Sequence, residues 1–202
     1  MNSIIKSVAG GAFCLPGNDI DTDRIIPARY LKCVTFEGLG VNVFKDDRAQ
    51  LGGKHPFDLA ENEGKSILVV DENFGSGSSR EHAVPALTQW GVKAIIGLSF
   101  AAIFRGNAVG NGLVCVTVEP DVHKYLVNEI NTGAFAVHVD LERMVVRAEH
   151  QWEGEPLPCA MPESHREMLI TGRWDSLATA LEAGNAIEEA ATKLPYMALV
   201  AC

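Results

Sequence analysis

A single α/β domain with a mixed, partly parallel sheet is what this sequence predicts for residues 1–202, on three observations. An aliphatic run, Ile67-Leu68-Val69-Val70, is followed by a Gly/Ser loop, a helical stretch and a second apolar run, the order of a right-handed βαβ unit. Farther on, Phe135, Val137, Val139 and Leu141 alternate with Ala136, His138, Asp140 and Glu142, the period of a half-buried strand. With 202 residues, 47% of them hydrophobic and 21% charged, the chain has enough apolar material for one sizeable core.

Taken in order, the segment up to residue 60 is rich in Gly, Pro and Asp clusters and reads as loop. Residues 65–70 read as a buried strand. After the loop at 73–79, residues 80–90 read as a helix with Ala83, Val84, Leu87 and Trp90 on one side. Pro85 falls in its first turns, where proline is tolerated, and Gly91 is a suitable C-terminal stop. Residues 93–97 form the next strand, 100–106 a short helix, 113–118 a third strand and 123–130 another helix. Residues 144–146 return as a hairpin partner of the alternating strand. Three prolines break the chain over 156–162, and a tail at about 163–195 has helical spacing interrupted by Gly172 and Gly184.

The formal net charge of −9 argues against a nucleic-acid surface, which needs a basic patch. It leaves room for an anionic small molecule, because one Arg at a helix N-terminus holds a carboxylate locally. The longest nearly apolar run, 94–104, contains Gly97 and Ser99 and is too short to span a bilayer. The first residues have neither a sustained apolar stretch nor a good cleavage site, since Phe13 is bulky; no membrane association and a cytoplasmic location are expected. The five cysteines, Cys14, Cys33, Cys115, Cys159 and Cys202, show no C-x-x-C spacing. A disulfide framework, or a metal or iron–sulfur site made by this chain alone, is therefore not expected.

The stretch with most chemistry is Asn73-Phe74-Gly75-Ser76-Gly77-Ser78-Ser79-Arg80-Glu81-His82-Ala83. Gly75 and Gly77 allow a tight turn and the close approach of a ligand. Ser78 and Ser79 fall where the loop meets the helix, among amides that carry partial positive charge. Arg80 adds a bidentate grip on a carboxylate or phosphate. A serine in such a field is a candidate proton carrier. The pattern lacks the third glycine of a dinucleotide fingerprint, the Gly-Lys of a P-loop and the G-x-S-x-G of a hydrolase elbow. An anion-binding loop and a Ser-capped helix after a tight turn both fit these residues.

Gly77-Ser78-Ser79-Arg80-Glu81-His82-Ala83 resembles the signature of the swivelling domain of the aconitase superfamily. Asp21-Thr22-Asp23-Arg24-Ile25-Ile26-Pro27 through Leu31 resembles a segment of isopropylmalate dehydratase small subunits. Phe36-Glu37-Gly38-Leu39-Gly40, His55-Pro56-Phe57, the 97–104 stretch and Asp140-Leu141-Glu142-Arg143 continue that likeness over nearly the whole chain.

The resemblance implies a swivel-domain-like three-layer sandwich. It implies a [4Fe–4S] cluster held by cysteines of a separate large subunit, the expected partner, and a dehydration–rehydration of a small dicarboxylate, as in leucine biosynthesis. Carried over residue by residue, Ser78 is the base, Ser79 and Arg80 bind substrate carboxylate, and Arg29-Tyr30-Leu31-Lys32 read the substrate's side chain. Apolar Leu31 suits an isopropyl group and basic Lys32 an extra carboxylate. Ser76 and Asn107-Ala108 stand where many relatives have Cys and Asn-Cys. These departures leave open another 2-substituted malate (benzylmalate, citramalate, dimethylmalate or homocitrate type), and a non-catalytic anion-binding module is the reading from a different class.

Overall fold

The structure, a computed structural model, describes residues 3–31, 36, 38–78, 80–133, 136–149, 156–184, 190, 192 and 193. The strands are β1 (Ser7–Gly10), β2 (Ala12–Leu15), β3 (Ile67–Val70), β4 (Ala94–Gly97), β5 (Val114–Thr117), β6 (Ala136–Asp140), β7 (Val145–Glu149) and β8 (Leu157–Pro158). The helices are α1 (Thr22–Ile25), α2 (Lys45–Leu51), α3 (Ala83–Trp90), α4 (Ala102–Gly110), α5 (Pro120–Asn131), α6 (Glu163–Thr171) and α7 (Ser176–Glu182).

Strands β2, β3, β4 and β5 pair in that order, all parallel. Every residue of β3 and β4 is buried, which is why these strands read as continuous aliphatic runs with no alternation. Strand order that follows chain order, joined by right-handed crossovers, puts the connecting helices on one face of the sheet. Phe13, Leu15, Leu68, Val70, Ile95 and Cys115 accordingly pack with α1, α3 and α4 through Ile25, Leu87 and Phe104. Each such Leu or Ile removed from water contributes ~2 kcal/mol.

The opposite face of the same strands, Ala12, Ile67, Val69, Ala94, Ile96, Val114 and Val116, is covered differently. There α5 and α6 supply Leu126, Ile130 and Leu169, and a second, antiparallel sheet in the order β1-β6-β7-β8 supplies Val137, Val139 and Val146. The result is three layers: connecting helices and loops, the parallel sheet, and the antiparallel sheet with α5 and α6.

The parallel and antiparallel strands thus lie in two sheets. Two short strands come from the N-terminal segment read as loop: β2 completes the parallel sheet, and β1 pairs with β6, Ser7 opposite Asp140. That segment also holds α1 and α2. The helix expected from residue 80 begins at Ala83, because residues 80–82 form a turn in which Ala83 N–H reaches Arg80 O at 3.2 Å. Helix α4 is Ala102–Gly110 where 100–106 was expected, since Phe100 and Ala101 belong to a connection that pairs with the Gly/Ser loop. The tail forms α6 and α7, and its remainder beyond 184 falls almost entirely outside the described residues.

A candidate anion-binding active site

Parallel strands deliver their connecting loops to one edge, and the C-terminal edge is where α/β sheets bind ligands. The loop after β3 runs from Asp71 through Ser78 and is stitched on both flanks. On one side, Gly75 N–H donates to Ile20 O at 2.8 Å, Thr22 N–H to Ser76 O at 2.9 Å, and Asn73 Nδ2 to Asp19 Oδ1 at 2.7 Å. On the other, Phe74 N–H donates to Ser99 O at 3.2 Å and Ala101 N–H to Phe74 O at 3.0 Å. Asp71 closes the root of the loop by accepting from Gly17 N–H at 2.7 Å.

Gly75 and Gly77 have φ of +78° and +86°, the left-handed region that costs side-chain-bearing residues ~1–2 kcal/mol. Gly75 has a second constraint: a Cβ there would overlap the Phe104 ring. Gly75 is required by close packing against Phe104, and Gly77 by the turn of the chain over Asp21.

Ser78 is exposed at the end of this stitched segment, and its hydroxyl has no hydrogen-bond partner among the described residues. Its carbonyl accepts from Thr22 Oγ1 at 2.8 Å. Arg80 lies mostly buried, its side chain 14% exposed, and pairs with the Asp23 carboxylate, which is 53% exposed. Helix α3 follows with no side chain capping its N-terminus, so its first amides keep their positive partial charge toward this corner. Among the described residues, the loop therefore supplies no serine cap to α3. Ser79 lies outside the described residues.

The turn expected to read the substrate's side chain is the 3₁₀ turn Ala28–Tyr30. Arg29 forms a fork to the Asp46 carboxylate, with Nη1 to Oδ2 at 2.8 Å, and its guanidinium carbon lies 4.7 Å from the Tyr30 ring centroid. The hydrogen bond from Arg29 holds the Asp46 carboxyl below the usual carboxylate range. Arg29 is thus engaged with α2, and Arg24 ties α1 to the same helix through Asp47 at 2.8 Å. Leu31 is partly buried against the core on the α3 side, and Lys32 lies outside the described residues.

Beneath α2, His55 is buried between Phe44 and Phe57 at centroid distances of 5.2 and 5.6 Å, and its Nδ1 accepts from Phe57 N–H at 3.2 Å. Burial pushes its pKa below the ordinary 6.5, against the charges of Asp47 and Asp58, which raise it.

Sequence reasoning gave Thr22, Asp23 and Asp46 no role. The available signal was Asp-Thr-Asp before a helix, a capping pattern; Asp21 does cap α1, accepting from Arg24 N–H at 2.8 Å. Among the described residues, no group of three or more His, Cys, Asp and Glu could hold a metal ion. Burial raises the thiols of Cys14 to about 11 and of Cys159 to about 12, and raises that of Cys115 as well. No helix among the described residues is long and apolar enough to cross a membrane.

The stitched β3 loop that ends in Ser78, and Arg80 after it, lie within a stretch of chain that matches the aconitase C-terminal domain. The family model of that domain matches residues 5–121, and the chain belongs to this family. The 3-isopropylmalate dehydratase small subunit of Synechocystis sp. is 45% identical over 199 residues, covering 96% of both chains. That of Thermus thermophilus is 42% identical over 192 residues, 94% of each chain. The crystal structure of 3-isopropylmalate dehydratase from Methanocaldococcus jannaschii superposes with a TM-score of 0.64 at 26% identity, covering 89% of this chain and 99% of that one. Within the family, the chain is one of the 3-isopropylmalate dehydratase small subunits, and these relatives carry no name that points to a different malate.

Proposed function

We propose that this chain, acting as one domain, is the small subunit of a hydro-lyase that converts 2-isopropylmalate to 3-isopropylmalate in leucine biosynthesis, with Ser78 as its base. The reaction removes the hydroxyl from C2 and a proton from C3, passes through the alkene, and returns a hydroxyl to C3 and a proton to C2. The observation that carries the reading is an exposed Ser78 at the end of a loop pinned on both flanks, next to Arg80 and the uncapped start of α3.

A serine hydroxyl is far too weak an acid to serve as a base unless its alkoxide is stabilised by a positive field. Arg80 and the α3 amides supply that field. The Ser78 alkoxide takes the C3 proton on dehydration and returns a proton to C2 on rehydration. One substrate carboxylate replaces Asp23 on Arg80, and the exposed Asp23 side chain turns to water. Ser79 adds a hydroxyl to the same carboxylate. Arg29, Tyr30, Leu31 and Lys32 set side-chain preference, with Leu31 facing the isopropyl group and Arg29 bracing the Ala28–Tyr30 turn against α2.

The partner on this reading is an iron–sulfur large subunit in the same cytoplasm. The described thiols and acidic groups of this chain do not fit a [4Fe–4S] cluster, so the cluster is assigned to that subunit and no step here runs through it.

The test is an anaerobic alkene-absorbance assay of the chain mixed with its large subunit, offered 2-isopropylmalate, citrate, homocitrate, citramalate and 2-benzylmalate. Turnover of 2-isopropylmalate is expected, and Ser78→Ala is expected to lower kcat by roughly 100- to 10,000-fold. Full turnover by Ser78→Ala would remove Ser78 from the chemistry. Turnover of only another malate would reassign the substrate.

A further inference from the structure

The Asp21-Thr22-Asp23 segment carried the resemblance, yet the reaction described above uses only Asp23, as the carboxylate that substrate displaces from Arg80. Thr22 is 2% exposed, although it lies at the first position of a four-residue helix on the surface side of the sheet. A buried threonine there needs an account, because burying a hydroxyl is costly unless it is hydrogen-bonded. Its hydroxyl goes to Ser78 O at 2.8 Å, while its own N–H goes to Ser76 O at 2.9 Å. One residue therefore grips the loop at two carbonyls, one on each side of Gly77.

Gly77 is the residue most able to let that loop rotate. Its φ is +86°, and a Cβ there would approach Asp21 Cβ to only 3.3 Å. With both flanking carbonyls held, the rotation is blocked. The peptide unit is planar, so a fixed carbonyl oxygen fixes the plane beyond Ser78 Cα and with it the direction in which Cβ leaves the chain, which leaves Oγ only the few staggered positions about χ1. The Ser76 hydroxyl adds a third hold, donating to Asp19 O at 3.2 Å.

We propose that Thr22 is a positioning residue for this reaction, stapling the loop across Gly77 so that the Ser78 hydroxyl is aimed before substrate arrives. The inference rests on Ser78 being the base. It touches no reacting atom; its contribution is the preorganisation without which a proton-transfer group misses its target by a fraction of an ångström.

The test compares Thr22→Val, which keeps the shape and removes the donor, with Thr22→Ser, which keeps the donor, in the assembled two-subunit enzyme beside Ser78→Ala. Thr22→Val is expected to lower kcat about tenfold to a hundredfold with KM changed less than about twofold, and Thr22→Ser to return kcat to within about threefold of the parent. Thr22→Val with parental kcat, while Ser78→Ala is inactive, overturns the inference and leaves the base in place. Equal impairment of the Val and Ser variants, or failure of both to assemble, also overturns it by reducing Thr22 to a packing residue. Parental turnover by Ser78→Ala refutes the base itself, whatever the Thr22 variants do.

Discussion

The loop that carries Ser78 and the turn that carries Arg29 both belong to the proposed site, but they are held by different forces. The loop is fixed by backbone hydrogen bonds to segments 19–22 and 99–101 and by two left-handed glycines. The turn is tied to α2 by an ion pair between exposed side chains, Arg29 with Asp46, and α1 just before it by Arg24 with the more buried Asp47. Backbone bonds in a stitched loop survive a change of salt or substrate, whereas exposed ion pairs are weak and screened. On the proposed mechanism, proton transfer then falls to a rigid part of the molecule and substrate selection to an adjustable one.

The sharpest way to break this contrast is to put a side chain on the stitched loop. Gly75→Ala adds left-handed strain to an overlap with Phe104, and a loss of roughly 2–5 kcal/mol is expected. At this chain size that is a fall of roughly 5–15 °C in the melting midpoint. Gly38→Ala, at φ +76° with open space around it, is the matched control and should lose only the conformational part, ~1–2 kcal/mol. Equal losses in the two variants would contradict the claim that packing locks the loop.

A medium-sized effect is expected from acid. His55 is buried neutral, so between the ordinary value of 6.5 and its lowered folded value the unfolded chain takes up a proton that the folded chain refuses. Its contribution is fully present above that window and is lost as pH falls through it. His55→Asn keeps an acceptor for Phe57 N–H and removes the titration, so the melting midpoint should fall less steeply below pH 6.5. His165, lowered by burial and then by the Arg105 charge, supplies part of the slope that remains. An unchanged slope in the variant would exonerate His55.

The smallest effect is expected at the ion pair itself. Asp46→Asn should leave the melting midpoint and kcat at parental values and raise KM for 2-isopropylmalate less than about threefold, a difference that fades as salt approaches about 1 M. A thermal loss as large as that of Gly75→Ala would erase the distinction between the two regions.

How much of this was legible in the sequence divides along the same line. Strands β3, β4 and β5 and helix α3 were readable because each is aliphatic or periodic over its own length and bounded by glycine. Strands β1 and β2 were not: each has four residues, only Gly11 separates them, and their partners are far along the chain, at 136–140 and 67–70. In the candidate site, the residue types of Gly75, Gly77, Ser78 and Arg80 pointed to an anion-binding loop or a capped helix after a tight turn. The grips on that loop did not show, because the partners of Gly75, Ser76 and Ser78 lie 54 or more residues upstream in a segment without periodicity. Arg29 was read as a ligand for substrate, and nothing in the local sequence showed that Asp46 engages it.

The pairing of Ser7 with Asp140 has a consequence for synthesis. Residues 12–117 hold all four parallel strands and leave the ribosome in order, so each new strand finds its neighbour already made. β1 emerges before any of them and has no partner until β6 follows, a wait on the order of ten seconds at about 5–20 residues per second. The nascent chain can therefore assemble the sheet that bears the Ser78 loop while its leading edge strand still hangs open, and the backing sheet closes only when β6 arrives.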